Sequence, residues 1–366
     1  MKVMKMRLTA AGLISILFLT ACEKENNTGV TPSFDRKAML EYYADQVIVP
    51  AYTQLVEKTA ALQTAWSNFK NEPSESTLLA LQDGWKTAAL AWQAANAFNF
   101  GPAGEAGIRK GLIEEIGTFP VAVNKVENYI AAGDAGFNNF DRDSRGFYAL
   151  EYLIFGQTDR VLTALQAGNR QQYASALVQD LVSEAQGMVS SWASYRSGFV
   201  SNAGTDAGSS TSQLYNAFVQ SFEAIKNFKV GLPAGKRAGQ TQAAPELVEA
   251  RFSGYSLALL RAHLEAIDAI YQGKSLSGQD GAGLMDYLLA VEGGPALVNA
   301  TRAQWQSVMA ALDKIPAGQT LEVAIAAGDP SVDALHTELQ KHTRFFKSDM
   351  SSLLGIAITF ASGDGD

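Results

Sequence analysis

The chain has 366 residues and sets 29 Lys and Arg against 37 Asp and Glu, for a formal net charge of -8. That acidic balance excludes the basic footprint of a nucleic-acid binder and a basic face for docking on anionic lipid. One cysteine leaves no intramolecular disulfide framework, and the three histidines, His263, His336 and His342, have no pair at the spacing of a zinc-peptidase H-E-x-x-H helix.

Lys2, Lys5 and Arg7 precede an apolar stretch from Leu8 to Leu19, followed by Thr20-Ala21-Cys22. The stretch is too short to span a bilayer and ends in a small-residue cleavage site, the pattern of a secretory signal with a lipobox. Residues 1–21 are read as a lipoprotein signal peptide, Cys22 as the lipidated residue that ties the protein to the membrane, and 22–33 as a polar tether. The expected place is the bacterial cell envelope. Glu23, where some bacteria use aspartate for inner-membrane retention, favours the outer membrane and periplasm.

Helical periodicity dominates the remainder. It runs from Lys37 to Phe69, with a kink expected at Pro50, and then through Leu78, Leu81, Trp85, Ala88 and Trp92 in alternating steps of three and four. Similar patterns cover Val161 to Tyr195, Ser212 to Lys229, Pro245 to Tyr271 and Ala303 to Lys314. Asp329-Pro330 supplies a cap and first-turn proline before a stripe from Val332 to Leu353. No alternating pattern is bounded by hairpin turns, so the fold class is all-α. The Gly- and Ser-rich stretch 197–211 is read as a linker between two helical bundles packed side by side, 34–196 and 212–366, each of about four helices. A short echo, Leu150-Glu151-Tyr152-Leu153-Ile154 against Met285-Asp286-Tyr287-Leu288-Leu289, fits a duplication and makes Asp286 the counterpart of Glu151.

Glu151 is the only charged residue between Gly146 and Gly156. A helix apolar on every side is buried on every side, and an ionised carboxylate there demands a partner, a proton or a metal. Tyr148 lies three residues earlier on the same face. A phenolate and a carboxylate are hard oxygen ligands, better suited to Fe(III) than to zinc. The competing reading pairs Glu151 with an arginine, Arg145 or Arg251. Gly231-Leu-Pro-Ala-Gly-Lys-Arg237 lacks the spacing of a phosphate loop, and no Gly-x-Ser-x-Gly elbow offers a nucleophile.

Several blocks in order, Val49-Pro50-Ala51-Tyr52, Phe98-Asn99-Phe100-Gly101-Pro102, Phe119-Pro120, Val126 to Ile130, Gly146 to Gly156, Gly231-Leu232-Pro233, Val248 to Leu257, and Leu354-Gly355-Ile356-Ala357 through Gly363-Asp364-Gly365-Asp366, resemble the imelysin-like proteins, also classed as peptidase family M75. The resemblance implies two helical bundles, an envelope location, association with bacterial iron uptake, and a site near the bundle junction marked by G-x-H-x-x-E. Mapped here, the motif gives Gly146 and Glu151, with Tyr148 in the histidine position. Glu249, Arg251, Ser253 and Ser256 match the second-half block and are expected at the same cleft.

Because the peptidase label leans on that histidine, the favoured reading is a non-catalytic binder of iron, or of an iron-bearing ligand or envelope iron-uptake partner, with Gly146, Tyr148 and Glu151 at the metal or ligand site. Zinc is the less favoured metal. A metal-dependent peptidase drawing on remote ligands such as His263, and a structural or docking lipoprotein, are the alternatives.

Overall fold

Ser74, Ser209, Thr320 and Asp329 each accept a first-turn backbone N–H from the helix that follows them, satisfying donors that a helix start leaves orphaned. Asp329 is thus the cap expected from the Asp-Pro pair. The computed structural model describes residues 34–105, 111–156, 160–166 and 168–360. The signal peptide, Cys22, the tether and the block Gly363-Asp364-Gly365-Asp366 lie outside the described residues.

The principal helices are α1 (Val49–Asn71), α2 (Glu75–Ala95), α3 (Gly146–Phe155), α4 (Gly168–Ser201), α5 (Ser210–Ala224), α6 (Ser256–Gln272), α7 (Gly294–Leu312) and α8 (Pro330–Arg344). The all-α expectation holds: among the described residues there is no strand beyond one isolated bridge, Lys274 to Asp280. Helix α1 packs on α2 and α4, α3 lies against α2 and α4, and α7 lies against α8. Helix α6 packs on both α5 and α2, and the core of buried side chains is continuous from Met39 to Ile356. Tyr43 adds a long-range tie, donating to the Ile270 carbonyl at 2.5 Å and accepting from the Leu284 amide at 3.0 Å.

Three segments depart from a uniform α-helical reading. First, the helix that begins at Arg36 passes through a π-helical turn, Tyr43–Ile48, before α1. That irregularity stands immediately ahead of Pro50, which has no N–H to give. Second, α4 continues through Ser201 and α5 begins at Ser210, so the break between them is 202–209 and the outer parts of the expected linker 197–211 are helical. Third, the stretch from Pro245 to Tyr255, expected as the start of a helix, is a short 3-10 turn followed by irregular chain. Ala250 sits at φ +53 and Gly254 at φ +66, left-handed geometry that interrupts a right-handed helix. This non-helical stretch carries Glu249, Arg251 and Ser253.

Candidate functional site

Gly146 opens α3 with φ +73, and a Cβ there would run into the Ile116 carbonyl. Only glycine meets both demands, so its contribution is to let α3 start tight against the preceding chain. Beside it, the Arg145 and Arg142 side chains pair with buried Glu115. Arg145 is therefore committed elsewhere and does not compensate Glu151. Arg251 does not either: its guanidinium pairs with Glu322 at 2.9 Å, and the side chain is half-exposed.

Glu151 is compensated by hydrogen bonds instead. Its Oε1 accepts from both the amide and the hydroxyl of Ser253, each at 2.7 Å. Burial pushes the Glu151 carboxyl up to about 7, with Ser253 opposing that shift and the nearby charge of Glu249 adding to it. Near neutral pH this group is poised between its two protonation states.

Tyr148 points at a different carboxylate. Its phenol donates to Glu249, which is buried to the same degree. Glu249 Oε1 also accepts from Gln93 at 3.2 Å and from the Lys229 ammonium at 3.0 Å, while Lys229 lies 2.8 Å from Oε2. The ammonium completes its shell on Gln93 Oε1 at 2.6 Å, and Asn96 donates to that same oxygen at 3.2 Å. Burial, then the Glu249 charge, raises the Tyr148 phenol well above its ordinary value, so it stays a protonated donor. Burial lowers the Lys229 ammonium, and Glu249 opposes that shift. Ser256, at the start of α6, donates its hydroxyl to the Glu249 carbonyl and holds the backbone of the irregular stretch.

Two cavities border this network, and Phe119 lines both. The smaller, about 60 Å³, is lined by Tyr148, Glu151 and Arg251. The larger, about 420 Å³, takes Lys229 and Glu249 on one side and Trp92, Phe119, Phe228 and Phe360 as aromatic walls. Glu114 also lines it, and the buried Glu114 Oε2 has no hydrogen-bond partner among the described residues.

The structure brings Tyr148, Glu151, Glu249 and Ser253 together and adds Lys229 and Gln93, which the sequence had not singled out. A signal for the lysine existed: Phe222, Lys226 and Lys229 follow the i, i+4, i+7 spacing of a core face, and both lysines are buried. The π-helical turn Ile225–Gly231 carries them, an irregularity frequent at functional sites. Asp286, the expected counterpart of Glu151, is only part-buried and accepts from the Gly283 amide at 2.9 Å, a capping contact.

His263 also reaches the larger cavity, where its Nε2 lies 2.7 Å from the Ser221 hydroxyl. The pair has the spacing of a nucleophile and a base, but among the described residues nothing orients the ring or activates the hydroxyl further. Nδ1 has no hydrogen-bond partner among the described residues, burial and then the Lys229 charge hold the imidazole well below its ordinary value, and Ser221 lies within α5, whose amides are engaged in the helix.

The imelysin family model, peptidase M75, matches residues 48–344. The chain belongs to the imelysin family. A curated relative, iron-regulated protein A of Synechococcus elongatus, is 26% identical over 357 residues, covering 92% of this chain and 91% of that protein. Among solved structures, an imelysin-like protein from Psychrobacter arcticum superposes with a TM-score of 0.70 at 20% identity, covering 89% of this chain and 97% of that one. A Parabacteroides distasonis protein gives a TM-score of 0.71 at 17% identity, covering 87% and 95%. These two share the fold with this imelysin.

The donor set does not fit a directly ligated iron or zinc ion. Glu249 is neutralised by an ammonium, the Tyr148 hydroxyl is spent as a donor to Glu249, and Glu151 spends one oxygen on Ser253. Among the described residues no group of three or more His, Cys, Asp or Glu side chains is arranged to hold a metal. Tyr148 and Glu151, expected as oxygen ligands, are each hydrogen-bonded within the protein, Tyr148 to Glu249 and Glu151 to Ser253.

Proposed function

We propose that this imelysin is a non-catalytic binding protein, lipid-anchored in the bacterial envelope through Cys22, that takes up an iron-bearing ligand by its organic surface. The observation that carries the reading is the Lys229 ammonium lodged on Glu249: a resident cation stands where an oxygen-ligated metal would need the carboxylate. Iron then arrives inside its own chelator. The name of the Synechococcus relative supports the link to iron, and the signal and lipobox residues support the anchor.

The larger cavity suits such a ligand. Aromatic walls offer apolar and cation–π contact, and unpartnered Glu114 Oε2 favours a neutral or positively charged chelate over an anionic one. Glu151 and Tyr148 then act one layer behind the cavity, holding the wall in place.

Calorimetric titration of the soluble mature protein tests this with ferric nitrilotriacetate, Zn(II), ferric citrate and a cationic ferric trihydroxamate, alongside Glu114→Gln and Glu151→Ala. Saturable binding of the cationic chelate, weakened by Glu114→Gln, is the expected result. Stoichiometric uptake of iron from nitrilotriacetate, or of zinc, abolished by Glu151→Ala, replaces this reading with direct ligation.

A further inference from the structure

A third cavity, about 220 Å³, lies between α6, α7 and α8 and shares no lining residue with the two above. His342 forms part of its wall with 0% exposure, and neither ring nitrogen has a hydrogen-bond partner among the described residues. The ring is surrounded by Phe222, Trp305 and Phe346, with centroids 5.1, 5.1 and 4.4 Å away. A neutral imidazole offers one donor and one acceptor. Burying them unsatisfied costs about 1–3 kcal/mol each, which a phenylalanine filling the same space would avoid. An unsatisfied polar group of this kind, at the wall of a cavity, is what a site presents when its partner is a ligand.

The rest of the lining is organised by helical spacing. Arg302 and Trp305 on α7, and Asp268 and Tyr271 on α6, are three apart, while His342 and Phe346 are four apart. Trp305, Tyr271 and Phe346 give aromatic walls. Asp268 and Arg302 contribute opposite charges that feel each other without a direct ion pair among the described residues: Asp268 accepts from Gln272 at 2.7 Å, and Arg302 approaches the Met285 sulfur at 3.9 Å. The volume falls below the roughly 300–1,000 Å³ of drug-sized sites, so the occupant is of amino-acid size.

We propose that this cavity binds a free aromatic α-amino acid with a hydrogen-bonding ring: the ring lies among Trp305 and Phe346 with its polar atom on His342, the carboxylate meets Arg302, and the ammonium meets Asp268. Each part of the ligand answers one polar group of the lining: the ring's polar atom His342, the carboxylate Arg302 and the ammonium Asp268, whose other contact is with the neutral Gln272 amide. The proposal stands independently of what the larger cavity binds.

L-tyrosine is the first probe, titrated calorimetrically into the soluble mature protein. Three analogues remove one feature each: L-phenylalanine the ring hydroxyl, tyramine the carboxylate, and 3-(4-hydroxyphenyl)propionate the ammonium. Saturable tyrosine binding, weaker by about tenfold or more for every analogue, is expected. His342→Phe should reduce tyrosine to the affinity of phenylalanine and leave phenylalanine unchanged, with thermal unfolding confirming that the variant folds. The analogue series uses the unmodified protein, so it decides the matter even where a variant fails. Absence of saturable tyrosine binding, equal affinity for all four compounds, or tyrosine affinity unaltered by His342→Phe overturns the proposal.

Discussion

The Lys229 ammonium contacts both oxygens of the Glu249 carboxylate, at 3.0 and 2.8 Å, and both side chains are almost wholly buried. Desolvating two charges is costly, and the pair persists because Gln93 and Tyr148 satisfy what each charge leaves over. This places Lys229, rather than Tyr148 or Glu151, at the electrostatic centre of the site.

Breaking the pair from one side leaves an uncompensated buried charge. Lys229→Met is expected to destabilise the fold by about 3–5 kcal/mol, whereas Lys229→Met with Glu249→Gln recovers most of the loss. Urea unfolding of the two single variants and the double variant checks this. A double variant no more stable than Lys229→Met removes the pair from the argument.

Tyr148→Phe deletes a hydrogen bond to a charged acceptor and should cost about 1.5–3 kcal/mol by the same assay. Tyr148→His restores the family's motif residue. Because Lys229 still neutralises Glu249, the variant is expected to gain no saturable zinc binding by calorimetry. Stoichiometric zinc in Tyr148→His contradicts that account of the site.

Gly146 tests the start of α3. Gly146→Ala puts a side chain at φ +73 and against the Ile116 carbonyl, so strain and overpacking together should cost about 2–5 kcal/mol. Thermal or urea unfolding measures it. A near-neutral result means that α3 relaxes away from Ile116.

The all-α class and the buried carboxylate were legible in the sequence because each rests on a local pattern. The stripe from Leu78 to Trp92 reports its own periodicity, and Glu151 declares itself by apolar neighbours on every side. Its partner was not legible. Ser253 reaches Glu151 from more than a hundred residues away, and only because Ala250 and Gly254 turn left-handed and keep Pro245 to Tyr255 out of the helix that its periodicity implied. Lys229 was hidden differently: a lysine ordinarily marks a solvated face, and its burial depends on Gln93 and Glu249, contributed by α2 and by the irregular stretch before α6. Charge compensation across distant segments is a tertiary property, and spacing alone names candidates without pairing them.

Glu151 should give the protein a pH-dependent stability. Its carboxyl is raised from 4.5 to about 7, so between those values the folded state holds a proton that the unfolded state has released. This contribution to stability is fully present below about pH 4.5 and is lost as pH rises through about 7. Glu151→Gln keeps an acceptor for Ser253 and cannot ionise. Relative to the unmodified protein it should gain up to about 3 kcal/mol on going from pH 4 to pH 8. Denaturant unfolding at the two pH values reads the difference, and a constant offset means that Glu151 titrates normally.

His342 gives the opposite slope. Burial among Phe222, Trp305 and Phe346 lowers its imidazole from 6.5 to about 3, so below pH 6.5 the unfolded chain takes a proton that the folded protein refuses. Stability from this residue is complete above about 6.5 and is lost as pH falls toward 3. By pH 5 the loss amounts to about 2 kcal/mol, taken as 1.36 kcal/mol for each pH unit below 6.5. His342→Phe keeps an aromatic ring in the same cage and has nothing to protonate. It should therefore lose about 2 kcal/mol less stability than the unmodified protein between pH 7.5 and pH 5, while His263, also held below its ordinary value, contributes equally to both. Unfolding by urea at the two pH values measures the difference. Equal losses for the two proteins mean that His342 accepts a proton in the folded state, and the packing of its ring would then have to open to admit water.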